Sequence, residues 1–225
     1  VFDIDTAGEI KIIDSEINAT HFRTSTIELE GSELLIQNST LWSGTRKTDS
    51  GPGCYWYESE GDCIDDGDYA HLKSYLLLGA DNLTIIDSDL YASSEMTSTT
   101  ESYCCGTKYW RKAWTYITID VEYDMDVDGS SIIAFTRNNG LNDENNDAIV
   151  DYDISSKNLE INNSTLKGQR AAGLGDYSFL TQIESGGGSV DIQNSWLGLV
   201  SSSGGFEIRE TNYTLDISNS TLRLG

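Results

Sequence analysis

The stretch Leu-x-Ile-x-Asn-Ser-x-Leu recurs six times, starting at Ile10, Leu34, Leu83, Leu159, Val190 and Leu215. Written out, the copies are IKIIDSEI, LLIQNSTL, LTIIDSDL, LEINNSTL, VDIQNSWL and LDISNSTL. The third position is always Ile, the fifth Asn or Asp, the sixth Ser, and the eighth Leu or Ile. Apolar residues at positions one and three alternate with polar ones, which is a strand pattern. A second alternating pair usually comes before it: Phe2 and Ile4, Ile27 and Leu29, Leu76 and Leu78, Tyr152 and Ile154, Phe206 and Ile208. The unit therefore reads strand, short turn, strand, Asn-Ser corner, strand.

The Ser residues of the first two copies are 24 residues apart and those of the last two 25 apart. A period of that length built from short strands predicts an all-β solenoid. The longer gaps, 49 residues from Leu34 to Leu83 and 76 from Leu83 to Leu159, come close to two and three units but also contain loop-like stretches. A degenerate copy is expected at Ile117, Ile119 and Val121. Coils stacked at about 4.8 Å would align Ile and Leu in apolar ladders. An inward Asn or Asp would bond backbone left unpaired by the bend, with Ser assisting. One domain, 1–225, is expected, with loop insertions at about 44–74 and 95–114 and an irregular acidic segment at about 122–150.

This pattern resembles the right-handed parallel β-helix repeats of pectate-lyase-like proteins and of many microbial cell-surface proteins. The resemblance rests on Ile-x-Asn-Ser-x-Leu and covers most of the chain. It implies the right-handed parallel β-helix fold. It spans polysaccharide lyases and hydrolases, tailspikes, adhesins and surface-layer components, so it implies no single activity.

Charge narrows the function classes. With 14 Lys and Arg against 37 Asp and Glu, the net charge is −23. Nucleic-acid binding requires clustered cations to neutralise phosphates, so that class is set aside, as is attraction to anionic lipid. No run of 18 apolar residues is present, so no membrane insertion is expected. The chain has neither an initiator Met nor a signal peptide, which predicts either a processed protein or a segment of a longer one. Asn-x-Ser/Thr sequons stand at Asn18, Asn38, Asn82, Asn162, Asn163, Asn212 and Asn219. Asn38, Asn163 and Asn219 are explained by the repeat itself. Asn18, Asn82 and Asn212 are the better candidates for N-glycans. Sequons together with four Cys predict an extracellular or cell-surface setting.

The two insertions follow Ser43 and Ser94, equivalent places in their repeats, so both are expected to leave from one corner. Cys54 and Cys63 lie in the first, Cys104 and Cys105 in the second. Vicinal cysteines pair with each other only under strain, so loop-to-loop disulfides are expected; a Cys54–Cys63 bond within one loop is the alternative. Tyr55, Trp56, Tyr57, Tyr109, Trp110 and Trp114 accompany them, with Arg46, Lys47, Lys73, Lys108, Arg111 and Lys112. Aromatics with Arg suit the centre of a glycan or subunit contact. They suit equally a disulfide-pinned satellite core.

Asp124, Asp126, Asp128 and Gly129 spell the opening of a D-x-D-x-D-G calcium loop, and Asp143, Asn145 and Asp147 form a second cluster. Phe135 stands where an EF-hand has Glu, so a non-EF-hand calcium site and a solvated acidic loop both fit. Calcium is the only cofactor these residues suggest. For catalysis the signals fail: two His, no G-x-S-x-G, and carboxylates too abundant to single out a pair. The lyase resemblance implies a basic residue acting beside Ca²⁺, and Arg137 or Arg170 could fill that role, but no motif selects either. A strongly negative surface would also repel a polyanionic substrate. The expectation is a non-enzymatic, secreted structural subunit. Its partners would be copies of itself, stacked through open solenoid ends or sides into a filament, sheath or surface layer. A carbohydrate-active enzyme or glycan-binding adhesin is the alternative.

Overall fold

The computed structural model describes residues 1–47, 55–56, 63–64, 71–96, 103–104, 107–108, 112–138, 148–171, 180–185, 188–200, 205–210 and 214–224. Every element among them is a β-strand. Two sheets dominate, one of 11 strands and one of 7, and all pairing within them is parallel. Two short antiparallel pairs, Tyr55–Trp56 with Cys63–Ile64 and Tyr103–Cys104 with Thr107–Lys108, lie in the insertions.

The chain makes seven passes, each giving one strand to the smaller sheet. In the second pass Thr24–Gln37 runs along the larger sheet, turns at Asn38-Ser39, and continues as Thr40–Lys47 in the smaller sheet. The next pass does the same with His71–Ile86 and Asp89–Met96, in register residue for residue: Ile36 beside Ile85, Leu41 beside Leu90. The same columns hold Val127 and Ile132, then Ile161 and Leu166, then Ile192 and Leu197. All of these side chains are buried between the sheets. Each pass alone buries little; the stack buries one continuous apolar core.

The corner differs from the expected inward Asn. Asp14, Asn38, Asp87, Asn163, Asn194 and Asn219 all have φ between 46° and 50°. This left-handed region penalises residues with a Cβ but is tolerated by Asn and Asp. Their side chains are exposed, not inward. The inward role belongs to the following Ser. The Ser39, Ser88, Ser130, Ser164 and Ser195 residues are buried. Each Oγ accepts the backbone N–H of the corner Ser one pass earlier at 3.1 Å and donates to a carbonyl two residues back in its own chain at 2.5–2.8 Å. Fixed position six is thus a hydroxyl column that satisfies amides no strand pairing reaches.

Several expectations need correction. Ile117, Ile119 and Val121 are not the degenerate copy; Ile117 and Ile119 align with Leu76 and Leu78 in the strand before the repeat. The missing copy is Met125 to Ile132, with Gly129 at the corner (φ 60°) and Ser130 in the hydroxyl column. Within the segment at about 122–150, Lys112–Asp128 and Ser131–Asn138 are strands of a full pass and Ala148–Ser156 begins the next, while 139–147 lie outside the described residues. Finally, the 49 residues between Leu34 and Leu83 span one layer and not two, because these residues are direct neighbours. The extra length leaves after Lys47 and returns at His71; the second insertion leaves after Met96, the partner of Lys47, and returns at Lys112. Ser43 aligns with Ala92 and Ser94 with Thr45, so the two expected exit residues are not equivalent, although Lys47 and Met96, the last described residues before each insertion, are in-register neighbours.

Beside that corner the interior turns polar. Ser25, Ser43, Ser74, Thr45, Ser94, Thr115 and Thr136 are buried and bonded to one another or to carbonyls, for example Thr136 Oγ1 to Thr115 Oγ1 at 2.7 Å and to the Ile149 carbonyl at 2.9 Å.

Candidate functional site

Strand alternation sends every second side chain outward, so each sheet presents a flat, ruled surface. The two surfaces differ in charge. Every strand of the larger sheet carries an Asp or Glu, and its only basic residues are Lys11, Lys73, Lys112 and Arg209. On the smaller sheet, the charged residues of outward parity are Arg46, Arg137, Lys167 and Arg223 with Glu16, Asp89 and Glu95, whereas Arg170 shares the inward row of Thr136. In a chain of net charge −23, this face is therefore close to balanced while the other is strongly acidic. Arg137 lies 3.9 Å from Glu95 and its guanidinium 5.8 Å from the Phe135 ring centre.

The acidic face is crowded. Burial raises the carboxyl of Asp126 above its ordinary value, and Glu160 and Asp128 add to the shift. Burial alone raises Asp151. Asp151 is next in line to Tyr116, whose ring stacks on Tyr75 at 4.9 Å and 7°. Burial pushes the Tyr116 phenol up to about 12, with Tyr75 and Asp151 contributing.

At the first passes of the smaller sheet, Trp42 lies across the surface. Its Nε1 donates to Ser93 Oγ at 3.0 Å in the following pass. A Cβ on Gly44 would stand 2.8 Å from that nitrogen, so the indole rests directly on glycine backbone. Trp42 remains 41% exposed and Phe22 59%. A groove of about 430 Å³ runs beside them, lined by Thr20, His21, Phe22, Trp42, Gly44, Thr45, Arg46, Ser93 and Glu95. The Phe22 ring is held between His21, 4.4 Å away, and the Arg23 guanidinium, 5.5 Å away.

The expected site residues fare differently. Asp124, Asp126 and Asp128 sit in a strand and not in a loop. Alternate strand residues are about 6.8 Å apart, too far to converge on one cation that takes oxygens at about 2.3–2.6 Å. Asp124 and Asp128 instead accept from Asn158 Nδ2 at 2.6 Å and Asn163 Nδ2 at 3.0 Å. No group of three or more His, Cys, Asp or Glu that could hold a metal ion occurs among the described residues. Asp143, Asn145 and Asp147 lie outside those residues, as do Tyr57, Tyr109, Trp110, Asn212, Cys54 and Cys105. Tyr55, Trp56, Cys63 and Cys104 are described only as strand backbone, so the disulfide expectation also lies outside the described side chains.

Trp114 is half-buried in Lys112–Asp128, with the Lys73 ammonium 4.9 Å from its ring centre. Asn18 is exposed on Glu16–His21. Asn82 is partly buried and tied to its neighbours, donating to Glu33 Oε1 at 2.8 Å and accepting from the Asp124 amide at 3.3 Å. Sequence reasoning missed Trp42, Phe22 and Glu95 as a group. The available signal was parity: Trp42 follows the inward Leu41 and so must face out. No helix among the described residues is long and apolar enough to cross a membrane. No family model, curated protein or solved structure matches the chain.

Proposed function

We propose that this chain is a right-handed parallel β-helix serving as a structural, self-associating subunit outside the cell. The observation that carries the reading is the unlike charge of the two sheet faces: the larger is strongly acidic, and the smaller sets outward Arg46, Arg137, Lys167 and Arg223 against Glu16, Asp89 and Glu95. Faces of unlike charge on one stack are complementary between copies, and the contact is heterologous: carboxylates on the larger sheet of one copy meet the outward cations on the smaller sheet of the next. Such a contact closes into a ring or propagates as a filament or layer, and the proposed assembly is the second. The stack's last described pass also leaves Leu215 46%, Ile217 36% and Leu222 45% exposed, in columns whose earlier members are buried. Covering them takes one more layer in the same register, supplied by continuing chain or by a second copy.

Sedimentation velocity across protein concentration tests the lateral contact. Association that is abolished by Arg137→Glu combined with Lys167→Glu supports it. A monomer at every concentration and salt would sink it. A glycan-binding surface module is the second reading, favoured by the exposed indole of Trp42.

A further inference from the structure

We propose that the groove beside Trp42 seats a pyranose ring of an N-glycan carried by Asn18. Asn18 begins the sequon Asn18-Ala19-Thr20. It is exposed, and it is the in-register neighbour of Trp42 across the parallel pair Glu16–His21 and Thr40–Lys47. Both residues have outward parity, so a sugar on Asn18 Nδ2 starts one strand spacing, about 4.8 Å, from the Trp42 backbone. The other sequon residue, Thr20, lines the groove itself.

The indole is prepared for stacking. It rests on Gly44, where no Cβ intervenes, and its Nε1 is anchored to Ser93 Oγ, so one face is turned to the sheet and the other to solvent. A flat aromatic held in place offers its face to the C–H side of a pyranose without losing rotamer freedom on contact. Arg46, Glu95 and His21 stand around it with donors and acceptors for ring hydroxyls. The groove, at about 430 Å³, falls within the size range of small-ligand sites.

The tether decides the source of the sugar. One ring on one indole is a weak contact, which leaves a free saccharide at micromolar concentration largely unbound. A covalent link converts the same contact into an intramolecular one at an effective concentration in the millimolar range. The seat therefore fits a sugar delivered by Asn18 better than one captured from solution. It also gives the outward Trp42 a cover that the sheet does not provide. This inference is independent of lateral association, which rests on Arg137 and Lys167.

The test is a double-mutant cycle on the full chain made in an N-glycosylating host. Mass spectrometry of the Asn18 peptide reads occupancy. Thermal unfolding compares the unsubstituted chain, Asn18→Gln, Trp42→Ala and the double variant. The glycan is expected to raise the melting temperature by about 2 °C, and the increment is expected to vanish when Trp42 is Ala and to persist when it is Phe. Nuclear Overhauser contacts between sugar protons and the Trp42 ring give a readout that a merely structural Trp42 would not produce. An unmodified Asn18, or an increment that survives Trp42→Ala, overturns the proposal. In a third arm the unglycosylated chain is titrated with chitobiose; binding well below millimolar would assign the groove to free saccharide instead of the tethered one.

Discussion

At the scale of single residues, the repeat's two fixed polar positions perform different tasks. Position five must adopt positive φ, and position six must place a hydroxyl inside the corner. Asn194 isolates the first task. Asn194→Gly is expected to leave stability near its original value, whereas Asn194→Val should cost about 1–2 kcal/mol, measured by urea unfolding, because a β-branched side chain is penalised in the left-handed region. Ser130 isolates the second. Ser130→Ala leaves the buried Ser88 amide without its 3.1 Å acceptor and should cost about 1–3 kcal/mol. Asp126 shows what the strand assignment of D-x-D-x-D-G means. Its folded carboxyl titrates above the ordinary 3.8, so between that value and the raised one the folded state holds a proton that the unfolded state has lost. Stability falls as pH rises through that window, and the full deficit is present at pH 7. Asp126→Asn should therefore raise the melting temperature at pH 7 and lose its advantage in acid. A calcium-loop role predicts the opposite: a loss at pH 7 that chelator abolishes.

At the scale of strands and rows, register makes the surface as regular as the core. The Tyr75, Tyr116, Asp151 row is an example, since three neighbours from successive passes share one desolvated strip. With Tyr116 raised from 10.0 to about 12, the folded state keeps the phenolic proton after the unfolded state has lost it. Stability from this group is complete below pH 10 and is lost as pH rises toward 12. Ultraviolet difference titration should show the component ionising near pH 12 lost in Tyr116→Phe, while buried Tyr152, raised by desolvation, still ionises late. Sequence alternation gave the outward parity of these residues. It did not give the row, because rows join residues separated by 42 and 34 positions at this level of the stack and by 24 or 25 at the ends. That uneven spacing comes from insertions at one corner, and it hid the layer from Met125 to Ile132.

For the whole molecule, the balance between net repulsion and face-to-face attraction sets behaviour. At −23, copies repel over a Debye length, about 10 Å at 0.1 M salt and about 3 Å at 1 M. Matching faces attract only on contact. Association is therefore expected to rise from low salt to about 0.1–0.2 M and to fall again toward 1 M, when the contact itself is screened; light scattering across that series reads it. Monotonic growth in association up to 1 M would point to apolar contact instead. The sequence by itself determined the stacked-strand unit and its inward apolar columns, because these follow from alternation. Composition likewise determined the net charge. That the corner Asn or Asp takes a left-handed conformation and faces out, leaving the inward place to Ser, was decided by the structure. Only the tertiary structure decided which residues become neighbours across layers: Trp42 beside Asn18 and over Gly44, Tyr116 on Tyr75, Arg137 near Glu95. The physical reason is that lateral hydrogen bonding sets register between passes independently of how much chain the loops between them contain.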